Sequence, residues 1–77
     1  MLFHLGLSSA SDVLPIGSSL YVLELFSGRL LRFSTPSSMP VEVATGLIGP
    51  TVMVYEPRQR SIFVTELFAG QIRRVDL

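Results

Sequence analysis

The sequence predicts an all-β protein built from two copies of a four-strand unit, and three observations carry that prediction. SSLYVLELFSGRLLRFS, residues 18–34, returns as RSIFVTELFAGQIRRVD, residues 60–76. Both copies are rich in β-branched and aromatic residues, and each is broken by a Gly-containing turn into two short runs, the signature of a β-hairpin. Pro15, Pro36, Pro40, Pro50 and Pro57, with six glycines, interrupt the 77 residues too often for a helix longer than about two turns.

The copies align without a gap at an offset of 42 residues, with Leu20 on Ile62, Tyr21 on Phe63, Val22 on Val64, Glu24 on Glu66, Gly28 on Gly70 and Arg32 on Arg74. Upstream the offset is 40, where GLSSASDV from Gly6 lies on GLIGPTVM from Gly46, and two residues are added before Ser61. Each repeat therefore reads as four strands. The first lies at residues 2–5 and again at 41–44, and the second at 12–14 and 51–55. The third spans 20–24 and 62–66, and the fourth 29–33 and 71–75. Gly6-Leu7 and Gly46-Leu47 mark the end of one strand before the chain crosses to the next. Four short antiparallel strands in a repeat of about 40 to 45 residues describe one blade of a β-propeller. Residues 1–34 form the first blade repeat and 41–77 the second, as one structural unit. The Ser- and Pro-rich segment 35–40, with Ser34 at its start, reads as the connection between blades.

Composition narrows the functional classes. Cysteine is absent, which excludes disulfides, thiolate metal sites and thiol nucleophiles and leaves the compartment unread. Six arginines balance six carboxylates, so the net charge of zero gives no footprint for nucleic acid or an anionic membrane. The hydrophobic fraction of 48% implies a buried core, yet no apolar run nears the roughly 18 residues of a spanning helix. The opening MLFHLGLSSA lacks the basic start and the uninterrupted apolar run of a signal peptide.

Glu24 and Glu66 stand among apolar strand residues and need partners. A hairpin with the three-residue loop Phe26-Ser27-Gly28, or Phe68-Ala69-Gly70, puts Gly28 and Gly70 in the left-handed position of a bulge. It pairs Glu24 diagonally with Arg32 and Glu66 with Arg74, and sets Tyr21 opposite Phe33 and Phe63 opposite Val75. A loop of two or four residues would instead make Arg29 or Arg73 the nearer partner. These six residues, Glu24, Gly28, Arg32, Glu66, Gly70 and Arg74, are read as structural, with Glu24 and Glu66 as the candidates for a binding face. Phe26 and Phe68 are expected to pack between blades. His4 falls on Ala44 in the other copy and has no repeated partner to orient it, which argues against a base or ligand. Ser8-Ser9 and Ser18-Ser19 read as turns, with no nucleophile elbow around them.

LYVLELFSGRLLRF and IFVTELFAGQIRRV, the second preceded by GLIGPT, resemble the blades of the six-bladed propeller superfamily. That superfamily holds NHL-repeat, YVTN-type, TolB-like, lactonase-like and quinoprotein sugar dehydrogenase-like proteins. The ELFxG stretch is most similar to propeller proteins associated with scytonemin biosynthesis. The resemblance implies a fold and no single activity. Lactonase-like sites use a divalent metal held by carboxylate and Asn side chains, and this chain has no Asn. Sugar dehydrogenase-like sites need a His base and cationic groups around a quinone, and here there is one His and no Lys. No catalytic, metal or cofactor-binding residue is therefore assigned and no cofactor is expected.

Propellers close with about four to eight blades, and the chain holds the strand equivalents of two. It is expected to be a partial propeller, completed by self-association or by the remaining blades of a longer chain. Three chains of two blades would make six, with the first strand of one chain completing the last blade of its neighbour. The favoured reading is a noncatalytic scaffold for binding or assembly. The alternative is a piece of a secreted metal- or quinone-dependent enzyme whose catalytic residues lie on further blades.

Overall fold

The computed structural model describes residues 7, 9–35 and 37–77, and these hold seven strands and no helix. The strands are β1 (Ala10–Ile16), β2 (Ser19–Glu24), β3 (Arg29–Phe33), β4 (Val41–Ala44), β5 (Pro50–Glu56), β6 (Ser61–Glu66) and β7 (Gln71–Asp76). They form two antiparallel sheets, a four-stranded one in the order β1-β2-β3-β4 and a three-stranded one in the order β5-β6-β7. The strand expected at residues 2–5, together with His4, Gly6 and Ser8, lies outside the described residues.

The repeat is visible in the backbone. A bulge interrupts β1 between Ala10 and Asp12 and β5 at the matching place between Pro50 and Val52. Leu25 donates its backbone N–H to Ser9 at 2.9 Å and Leu67 donates to Gly49 at 2.8 Å. The two added residues sit in one hairpin: Gly17-Ser18 joins Ile16 to Ser19, whereas four residues, 57–60, join Glu56 to Ser61.

The connections differ from the expectation. Segment 34–40 joins β3 to β4 within the first sheet, and 45–49 carries the chain from one sheet to the other. The second connection, TGLIG, buries Leu47 and Gly49. Leu47 donates its N–H to the carbonyl of Gly28, so the crossing strap lies on the β2–β3 turn.

The hairpin register also departs from the three-residue loop. Glu24 pairs with Arg29 and Glu66 with Gln71, so each loop has four residues, 25–28 and 67–70. Tyr21 therefore faces Arg32 and Leu20 faces Phe33, while Phe63 faces Arg74 and Ile62 faces Val75. Gly28 and Gly70 do take the left-handed conformation, with φ of 67° and 64°. Both loop lengths place a glycine there, which is why glycine alone does not set the register.

Side chains alternate across each strand, and the two faces of each sheet have different fates. On one side of the first sheet lie Asp12 and Leu14 of β1, Tyr21 and Leu23 of β2, and Leu30 of β3. We call this its front. The front packs on Met53, Tyr55, Ile62, Val64 and Val75 of the second sheet, and Leu47 joins the same core. The back of the first sheet carries a smaller cluster, Val22, Leu31 and Phe33, with Leu7 and Leu20 against it. β2 thus buries residues on both faces, and its run LYVL shows no polar alternation for that reason.

By the repeat, Met53, Tyr55, Ile62, Val64 and Val75 are the counterparts of Val13, Pro15, Leu20, Val22 and Phe33. Those five lie on the back of the first sheet. The sheets therefore stack front to back, with β1 lying along β5.

Candidate functional site

The two hairpin glutamates are the most enclosed charged groups among the described residues, Glu24 at 0% and Glu66 at 1% exposure. Each ends the strand before a four-residue turn, and a carboxylate there can reach the donors of its own turn and of the strand opposite. Glu24 Oε1 accepts Ser27 Oγ and Arg29 Nε, both at 2.7 Å. Arg29 continues to Glu42 on β4 at 3.2 Å, and Glu24 first, then Glu42, raises its already high pKa. Glu66 Oε1 accepts Gln71 Nε2 at 2.8 Å and Arg73 Nε at 2.9 Å, and its Oε2 accepts the backbone N–H of Ile48 at 2.8 Å. Arg73 holds the Glu66 carboxyl below the ordinary carboxylate range, against the opposing effect of its enclosure.

This geometry corrects the expected pairs. Glu24 bonds Arg29, not Arg32, and Glu66 bonds Arg73, not Arg74, because the four-residue loop moves the register by one. Arg32 sits opposite Tyr21 and Val41. Arg74 instead bonds Asp76 at 2.6 Å and Ser61 at 3.1 Å, and Ser61 donates to the same Asp76 oxygen at 2.7 Å. Ser61, then Arg74, lowers the Asp76 pKa. Phe26 and Phe68 do not pack between sheets. They stand 78% and 73% exposed at the turns that follow Glu24 and Glu66.

Asp12 was not singled out by the sequence, and it makes the most specific contact between the sheets. Its Oδ2 accepts the backbone N–H of Met53 at 2.8 Å, while its Oδ1 accepts the N–H of Val13 at 2.9 Å. Beside it, Ser11 on the β1 bulge donates to the carbonyl of Pro50 at 2.9 Å. The signal was a departure from the repeat: Asp12 falls on Val52, so a charge stands in β1 where β5 has an aliphatic residue.

Among the described residues, no buried side-chain nitrogen or oxygen lacks a hydrogen-bond partner, and no three His, Asp or Glu stand close enough together to hold a metal ion. No helix among them is long and apolar enough to cross a membrane. Glu24 and Glu66 each accept hydrogen bonds from side chains of their own turn or of the strand that follows it. Apolar side chains are exposed on the outward face of the second sheet, where Val52, Val54 and Ile72 are 52%, 57% and 69% exposed, and also outside it, at Phe26, Met39 and Phe68 among others. Comparison with known proteins found no matching family model, curated protein or solved structure.

Proposed function

We propose that the chain is a noncatalytic repeat module of β-propeller blade type, serving as a scaffold for assembly or binding. The observation that carries this reading is the front-to-back stacking of two repeat-related antiparallel sheets. In such a stack one sheet's front meets the next sheet's back, so each added unit can present the same faces again. The buried glutamates support the same reading, since every turn they hold is one that the stack repeats. A scaffold of this kind offers its edges, outward faces and turn aromatics to partners, and keeps its charged groups for its own architecture.

Tandem fusions of two and three copies test the reading by small-angle X-ray scattering. Blade-type stacking predicts one compact particle whose three-copy form is a disc with a single cooperative melt. A string of separate globules, each melting as the single chain does, would refute it.

A further inference from the structure

We propose that the outward face of the second sheet is a docking surface for a second copy of this chain, which presents the outward side of its β1. The contact repeats, between copies, the one that already joins the two sheets within a copy. The proposal rests on the front-to-back stacking invoked above and adds the partner and the surfaces.

The occupant is argued from the established interface. The exposed face of the second sheet carries Val52, Val54, Phe63 and Ile72. Their counterparts in the first sheet are Asp12, Leu14, Tyr21 and Leu30, which face the second sheet in the folded chain. Within the chain this front meets Met53 and Tyr55 of β5 together with Ile62, Val64 and Val75, and the counterparts of these five in the first sheet are Val13, Pro15, Leu20, Val22 and Phe33. Val13 is 51% exposed and Pro15 is also exposed. Val22 and Phe33 are already covered, so what the first sheet still displays of this half is the outward side of β1, opposite the exposed face of the second sheet.

The turn glycines give an independent sign of the same site. A Cβ at Gly28 would collide with the carbonyl oxygen of Leu47, because the crossing strap lies against that turn. A Cβ at Gly70 would meet nothing within 4 Å. Gly70 borders a shallow groove with Thr51, Thr65 and Ile72, at the place that the strap fills in the first sheet. A docking copy brings Leu7, the repeat counterpart of Leu47, to that place. Thr65, which stands where the first sheet has Leu23, does not oppose burial. Its hydroxyl already bonds Thr51 Oγ1 at 3.0 Å and the backbone of Val52, so covering it orphans no polar group.

The contact is heterologous, and successive copies add until the ring closes. Sedimentation of the wild-type chain up to about 1 mM should show a mass that rises with concentration to a discrete oligomer. Val13→Arg spoils one half of the contact and Val54→Arg the other, with Ile72→Arg as a second lesion on the same face. All three positions are exposed, so each variant should keep the wild-type circular dichroism and stay monomeric. An equimolar mixture of Val13→Arg and Val54→Arg retains one intact pair of faces and should form a 1:1 dimer. A wild-type monomer throughout the range, association that survives in either variant, or a mixture that stays monomeric would overturn the proposal. A wild-type monomer alongside a disc-shaped tandem fusion would reject self-docking and leave the scaffold reading standing.

Discussion

Asp12 reaches across the gap between the two sheets to accept the backbone N–H of Met53 at 2.8 Å. The bond fixes the height of one sheet against the other, because it ties a particular side chain of β1 to a particular amide of β5. Nonpolar contact alone would permit sliding; a charge-assisted bond to one N–H does not.

Replacing Asp12 by Ala should cost about 1.5–3 kcal/mol, the usual range for a hydrogen bond to a charged group. Urea denaturation measures it. Val52→Ala, at the corresponding exposed position, should change stability by no more than about 0.5 kcal/mol. Equal losses at the two sites would show that Asp12 does not hold the sheets together.

The turn glycines should respond unequally to the same substitution. Both are left-handed, so Ala at either site carries a strain of roughly 1–2 kcal/mol. Gly28→Ala must also push the Leu47 strap away, whereas Gly70→Ala meets open space. Thermal unfolding of the two variants should place Gly28→Ala clearly below Gly70→Ala.

Much of the fold was legible in the sequence, and what was not has physical causes. Strand positions followed from the repeat and from Gly and Pro punctuation, to within a few residues at each end. Register did not follow, since a left-handed glycine suits a three-residue or a four-residue turn, and this one step exchanged Arg32 for Arg29 and Arg74 for Arg73. The faces were hidden in LYVL because both sides of β2 are covered; Thr65, standing where Leu23 does in the other copy, was the mark of an open face. The Ser- and Pro-rich segment announced a loop without saying which strands it joins, and the true crossing between sheets carries the buried Leu47 and Gly49.

The corrected register makes a separate prediction. A double-mutant cycle between Glu24 and Arg29 should show coupling, and one between Glu24 and Arg32 should show none. In the second sheet Glu66 should couple to Arg73 and not to Arg74. Coupling to Arg32 or Arg74 would restore the three-residue loop.

Acid should destabilise the fold through Glu66 and Asp76. Both carboxyls have folded-state pKa values below their ordinary ones, so the unfolded chain binds protons more readily on acidification. Their contribution is fully present above the ordinary values of about 4 and is lost as pH falls through the lowered folded values. Stability measured by denaturant from pH 7 downward should fall on the acid side, and Glu66→Gln should flatten that fall while lowering stability at neutral pH. An identical acid slope in wild type and Glu66→Gln would remove Glu66 from this role.

Repeat-related core positions should also differ in weight. Leu23 is fully buried between the sheets and its counterpart Thr65 is exposed. Leu23→Ala should cost about 2–5 kcal/mol, and Thr65→Ala far less, as judged by the midpoint of denaturant unfolding.

Methyl nuclear Overhauser contacts show which faces of the two sheets meet. Front-to-back stacking predicts cross-peaks from Leu23 and Leu30 to Ile62 and Val64. Cross-peaks from Leu23 and Leu30 to Ile72 and Val54 would mean that the sheets meet front to front, and cross-peaks from Val22 and Leu31 to Ile62 and Val64 that they meet back to back. Either pattern would contradict the repeating stack.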